Sequence, residues 1–331
     1  MKIAAPLNIF TPAEKDRMKK ALLISAVCIV AGIVLLFLGE AYFTAQRADY
    51  GWNPPVERPE FSRAHPRVLI DEGHNNTSAG FTGRYWPFAR LLRADGYTVV
   101  RGAKPFTPAY LAGAQVLVVV NASGESKKQI FGINIPIPGG KNKQKSDPPF
   151  TAAEIAVVQS WVERGGSLLL VADHAPFGEA AAGLSAAFGV TMHKGFVEVP
   201  DESSDPLLFS KENGRLGDHP VFKGSRPGTA VDIVMTYTGQ SLDGPDDAAV
   251  LLRLPPTAVE YVPDDDTLAE RPAGTAQGLA LTYGSGRVVV LGEGAMLTAQ
   301  VNRRVRYGMN TSDNDNRRFV LNVMHWLSRR I

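Results

Sequence analysis

Ser167-Leu168-Leu169-Leu170-Val171-Ala172-Asp173-His174-Ala175-Pro176-Phe177-Gly178 is the stretch that decides the fold. An apolar run ends abruptly in two titratable side chains, and a Pro and a Gly then lead into an Ala-rich segment. An amphipathic segment precedes the run and stops at Gly165-Gly166, so the local order is helix, buried strand, sharp turn, helix. That order is the signature of a parallel α/β sheet, in which polar residues just past a strand's carboxyl end line the ligand crevice.

Working outward, Val68-Leu69-Ile70 reads as a short buried strand running into Asp71-Glu72-Gly73-His74-Asn75-Asn76. Tyr85, Phe88, Ala89, Leu91 and Leu92 recur at helical spacing, and Asp95-Gly96 ends that helix. Tyr97 to Val100 and Val116 to Val120 give two further strands, the second ending at Asn121. These strands are continuously apolar, as expected of a sheet covered on both faces. Thr151 with Glu154 forms a capping-box pattern opening a helix to Arg164. Val231–Tyr237 and Val250–Leu254 read as strands, and Gly278–Tyr283 and Arg287–Leu291 as a hairpin around Gly284-Ser285-Gly286. Asp313 to Arg330 makes a closing helix. Residues 124–149, with five lysines and several Gly and Pro, are too long for a routine connection and are expected to form an insertion or flap.

Residues Ala21 to Gly39 contain no charge and span roughly 29 Å at about 1.5 Å per helical residue, close to the bilayer hydrocarbon core. Lys15, Arg17, Lys19 and Lys20 precede this run and Glu40 follows it. The positive-inside bias places the N-terminus in the cytoplasm and the rest outside it. The expected organisation is a cytoplasmic N-terminus (1–20), a transmembrane signal-anchor (21–39), a linker (40–66) and an α/β domain (67–331), on the outer, periplasmic face of the inner membrane. A cleaved signal peptide is the rival, with Gly39 and Ala41 flanking a poor cut site.

The chain has 331 residues, 44% of them apolar, and 35 Lys+Arg against 33 Asp+Glu. A formal charge of +2 leaves no electrostatic footprint for nucleic acid. Its one cysteine, Cys28, lies in the apolar run, so the domain has no disulfide, thiol nucleophile or cysteine metal site.

Several strand ends deliver polar groups to one edge of the sheet. The candidate catalytic set is His74, Asp173, His174 and Glu293, and Asp71, Asn75 and Asn121 are candidate ligand contacts. Carboxylate and imidazole together bind divalent metals, or serve as a general acid/base pair in which the carboxylate orients the His. The bland alternative is that Asp173 and His174 merely cap the following helix. His325, beside Trp326, reads as packed surface or core.

The Phe150-Thr151-x-x-Glu154 helix, Gly165-Gly166, Leu168–His174, Gly286-Arg287-Val288-Val289-Val290-Leu291-Gly292-Glu293 and Asn316…Asn322…Trp326-Leu327 together resemble the class I glutamine-amidotransferase-like superfamily. More narrowly they resemble its exported, membrane-anchored members of unknown function, and the closing strand is similar to that of the auxiliary domains of gliding-type ABC transporters. The resemblance covers residues 67–331 and implies a flavodoxin-like parallel sheet. True amidotransferases carry a nucleophilic Cys on the turn after the central strand; here Asp173-His174 stands there, so glutaminase chemistry is rejected. The expected function is binding of a small ligand or an envelope protein complex. The alternative is a metal-assisted or acid/base hydrolase built on the four candidate residues.

Overall fold

The computed structural model describes residues 11–76, 83–124, 129–130, 133–134, 148–200, 202, 206–264 and 267–331. The chain divides into two compact units, Met1–Ala45 and Gln46–Ile331. In the first, helix α1 (Pro12–Thr44) opens on a reciprocal cap between Thr11 and Glu14. Its Pro12–Glu40 segment is long and apolar enough to cross a membrane.

The second unit is mixed α/β. Its main sheet has nine strands among the described residues: β1 (Arg67–Asp71), β2 (Thr98–Gly102), β3 (Val116–Val120), β4 (Ser167–Val171), β5 (Thr191–Met192), β6 (Leu242–Asp243), β7 (Ala249–Arg253), β8 (Ala276–Tyr283) and β9 (Gly286–Leu291). The spatial order is β2-β1-β3-β4-β9-β8-β6-β5, with β7 also on β8. The first five are mutually parallel, whereas β8 runs antiparallel to β9 and β5, β6 and β7 continue that antiparallel extension. The expected hairpin is therefore the hinge between a parallel half and an antiparallel half.

The central strand is fully buried because it has covered neighbours on both edges and both faces. Leu169 of β4 stands opposite Val118 of β3 and Val289 of β9. Alternation then sorts the side chains. Val68 and Ile70, Val116 and Val118, Leu169 and Val171, and Val289 and Leu291 share one core with helices α2 (Trp86–Ala94) and α5 (Asn316–Leu327). Leu69, Leu117, Val119, Leu168, Leu170, Val288 and Val290 point the other way, against α3 (Ala152–Glu163) and α4 (Phe177–Ala186). With helices on both sides, neither strand face meets water, which is why these strands read as apolar runs rather than alternating ones.

Two boundaries differ from the sequence reading. Residues 40–66 are not a uniform tether: α1 runs through Thr44, and the compact unit starts at Gln46. Arg47 and Ala48 pair with Val301 and Gln300, the Arg317 guanidinium donates to the Pro55 carbonyl, and Phe61 packs in the core. A two-residue strand has no periodicity to read, and the Pro-bearing composition hides its anchoring. Most of the 124–149 insertion lies outside the described residues.

Burial makes a direct prediction. Leu170→Ala, at a fully buried position, should cost about 2–5 kcal/mol in denaturant unfolding, while Leu208→Ala, 41% exposed, should change stability by less than about 0.5 kcal/mol. Equal effects would show that the two positions are equally packed.

Candidate functional site

The polar groups at the strand ends form two separate clusters rather than one. The first surrounds His74. Its Nδ1 donates to both Asp71 carboxylate oxygens at 3.0 Å, and its Nε2 donates to Glu154 Oε1 at 2.9 Å. The ring is also flanked by Phe106 and Phe150, with centroids 4.5 and 4.7 Å away. With a carboxylate on each nitrogen, the side chain is held as an imidazolium. Despite burial, the hydrogen bonds and charges of Asp71 and Glu154 raise its pKa.

Glu154 has a second task. It completes the capping box of α3 with Thr151, whose backbone N–H and hydroxyl donate at 3.0 and 2.8 Å, and it accepts the Phe106 amide at 3.1 Å. Burial opposes ionisation here, but these bonds and His74 win and hold its carboxyl at about 2. His74 therefore has no nitrogen left for a substrate or a metal, and it belongs to a knot joining the end of β1 to the start of α3.

The second cluster lines a polar hollow of about 120 Å³ past the carboxyl ends of β3, β4 and β9. It brings together Asn121, Asp173, His174 and Glu293 from the candidate list, and adds Arg84, Tyr85, Tyr237 and Gln300. The loops that carry these groups are tightly fixed. Asn121, at φ +47°, accepts the Asp173 amide on its side-chain oxygen at 2.9 Å and faces the Tyr85 hydroxyl at 3.5 Å. Gln240 donates to the carbonyls of Ala172 and Asp173 at 2.9 and 3.1 Å. Gly294 is required for close approach, because a Cβ there would collide with the Tyr85 hydroxyl.

Glu293 is fully buried and accepts the amides of Ala295 and Met296 at 2.6 and 2.9 Å. Burial and the charge of Asp173 nevertheless push its carboxyl well above the usual range. Burial also raises Asp173, partly offset by His174, its amide and Arg84. Two carboxyls sharing one small volume cannot both ionise cheaply, so the pair retains a proton. Tyr85 is driven well above the usual phenol range by burial and by both carboxylates, so it stays a neutral donor.

His174 adds an imidazole. Its Nδ1 donates to the Ala175 carbonyl, 2.7 Å away, because a carbonyl only accepts, and this leaves Nε2 for another partner. Its ring stacks on Phe196, 4.8 Å away at 20°. Among the described residues, two buried atoms at the hollow lack a partner, Arg84 Nε as a donor and Gln300 Oε1 as an acceptor.

Asp71 is spent on His74 and on the Gly73 amide, and Asn75 is exposed at φ +52°, apart from the hollow. Among the described residues no group of three or more His, Cys, Asp or Glu side chains is placed to hold a metal ion. His325 is buried and bonded to Asp95 at 2.6 Å. Arg84, Tyr85, Tyr237 and Gln300 are members of the hollow that the sequence does not single out as site residues. Tyr85 falls within a helical apolar stripe, Tyr237 ends an expected strand, and nothing in the local pattern marks the other two.

No family model and no curated protein matches the chain. Among solved structures, the mmIFT52 N-terminal domain is similar at 15% identity over 79% of this chain and 97% of its own, with a TM-score of 0.50, a likeness of fold alone. A ThuA-like protein of Bacteroides uniformis (14% identity, 83% and 95% coverage, TM-score 0.46) and a GMP synthase-like protein of Thermoplasma acidophilum (11%, 81% and 98%, 0.41) are also among the neighbours.

Within the first cluster the two titrating groups respond oppositely to pH, and the second cluster responds in the same sense as His74. The raised His74 pKa contributes stability that is complete below about 6.5 and is lost as pH rises through its folded value. The lowered Glu154 pKa contributes stability that is complete above about 4.5 and is lost as pH falls towards about 2. The raised Asp173 and Glu293 values work against the fold as pH climbs above the ordinary carboxylate range. His74→Ala should therefore cost roughly 1–3 kcal/mol near pH 5.5. Asp173→Asn should leave stability unchanged or raise it at pH 8, as unfolding curves at the two pH values will show. A destabilised Asn variant would mean that Asp173 is held for structure.

Proposed function

We propose that this chain is a membrane-anchored, glutamine-amidotransferase-like domain that binds a small polar ligand without glutaminase chemistry. The parallel order β2-β1-β3-β4-β9 supports the flavodoxin-like reading, since it is the 2-1-3-4-5 order of that fold. The hollow lies where such sheets bind ligands, outside the carboxyl ends of the strands. No thiol is available for acyl transfer, because Cys28 sits in α1.

The observation that carries the reading is a small enclosure that brings Asp173 and Glu293 together while Arg84 Nε and Gln300 Oε1 go unsatisfied among the described residues. Buried polar atoms are ordinarily paired, so these two mark where a ligand's acceptor and donor belong. At about 120 Å³ the space is far below the roughly 300–1,000 Å³ of sites for drug-sized molecules, which limits the occupant to a small molecule or a terminal group. Tyr85 would donate to it, Asp173 and Glu293 would hold or share a proton with it, and His174 would contribute its Nε2.

The second reading, an acid/base hydrolase, retains Asp173, His174 and Glu293 and loses His74. It is favoured by the presence in one hollow of an imidazole and a carboxyl that burial and Asp173 push above its usual range. A metal-assisted version would have to find its ligands without His74. Localisation on the outer face of the inner membrane, and service to an envelope complex, rest on the flanking charges of α1.

Ligand-observed NMR with the full-length chain and a panel of small polyols, carboxylic acids and amino acids should give hits that vanish in Asp173→Asn and Arg84→Gln. Hits that persist in both variants, or none in the parent, would exclude the hollow as a binding site; turnover of a bound ester or amide would favour the hydrolase. Alkaline phosphatase fused after Ile331 should be active in a bacterial host, and an inactive fusion reverses the orientation.

A further inference from the structure

The hairpin Ala299–Asn302/Val305–Gly308 contributes Gln300 to the hollow, but its turn carries a different chemistry. Its ten residues, 299–308, include three arginines and no acid. Arg303 and Arg304 form the turn, with Arg303 at φ +54°, a conformation that Gly or Asn adopts with less strain. Val305 follows, an apolar side chain 56% exposed between Arg304 and Arg306. A membrane interface suits that arrangement, because arginines meet phosphates while a valine enters the headgroup boundary.

A second observation points to the same surface: the hairpin's inner strand is hydrogen-bonded to Arg47–Ala48. Behind the hairpin lies an open groove of about 1020 Å³ walled by Arg47, Arg304, Arg306, Arg317 and Arg318. Its acids are Asp49, Asp313 and Asp315, of which Asp315 pairs with Arg318 and Asp49 sits 3.8 Å from Arg306. Arg303 and Arg304 form no ion pair among the described residues.

We infer that the Arg303–Arg306 hairpin docks on anionic phospholipid headgroups, with the arginine-walled groove receiving one of them. The inference rests on reading α1 as membrane-spanning. Basic surface segments gain affinity for acidic lipid in this way, with a salt dependence set by screening.

The test uses the full-length chain in nanodiscs of phosphatidylcholine, with or without 30% phosphatidylglycerol. Cys28→Ser combined with Val305→Cys places one thiol at the hairpin, and Cys28→Ser with Glu212→Cys places one on an exposed turn as reference. The rate of labelling by a water-soluble maleimide should fall at least about fivefold at residue 305 in the phosphatidylglycerol discs, recover in 0.5 M salt, and stay constant at residue 212. Arg303→Gln with Arg304→Gln, checked for folding by an unchanged melting temperature, should abolish the protection. Equal labelling in both lipids overturns the proposal. So does equal protection by free glycerol phosphate on phosphatidylcholine discs, which would make the groove a site for a soluble anion. A chain that fails to enter discs at all refutes the anchor itself, a separate result.

Discussion

The second unit depends on the parallel pairing of Ser167–Val171 between Val116–Val120 and Gly286–Leu291. A strand hydrogen-bonded on both edges and covered on both faces has room only for apolar side chains. Every polar residue in this layer is therefore displaced to a strand end. That constraint produces the two cores, one against α2 and α5 and the other against α3 and α4, and it concentrates Asn121, Asp173 and Glu293 at one rim.

At that rim, neighbouring clusters of similar composition have opposite electrostatics. Around His74 each carboxylate meets an imidazolium or a backbone amide, so charge separation is stable and the cluster is satisfied. Around Glu293 two carboxyls face one another and a phenol with limited countercharge, so ionisation is suppressed. A satisfied network specifies structure, whereas a frustrated one with orphaned donors and acceptors has chemistry left to offer a ligand. The same residue types serve a fold in one place and a candidate site in the other.

The antiparallel additions give this sheet its individuality. Strands β5 to β8 extend it past β9; Tyr237, just past the strand Ile233–Thr236, lines the hollow, and Phe196, which opens the strand Phe196–Glu198, stacks on His174. The separate three-stranded sheet formed by Arg47–Ala48 and the 299–308 hairpin joins the start of the compact unit to its last quarter. Contacts of such long sequence separation are closed by chain topology rather than by local preference.

Much of this is legible in the residues alone. Apolar runs ending at Asp71, Asn121, Asp173 and Glu293 determine a covered parallel sheet and the rim on which its polar groups lie, because burial on two faces leaves an unmistakable composition. The capping box at Thr151 and Glu154, and the uncharged run from Ala21 to Gly39, are equally plain, since both are local in sequence. Only the tertiary structure decides which rim residues meet. His74 is one turn of chain from Asp71, yet its second partner, Glu154, is eighty residues away and reads in sequence only as a helix cap. Arg84 and Tyr85 reach the hollow from the residues leading into α2, and Gln300 from a short hairpin strand, none of them in a pattern that marks a site. Periodicity reports the side of an element that is buried, but partnership across the fold depends on loop paths and side-chain reach, which no local pattern encodes.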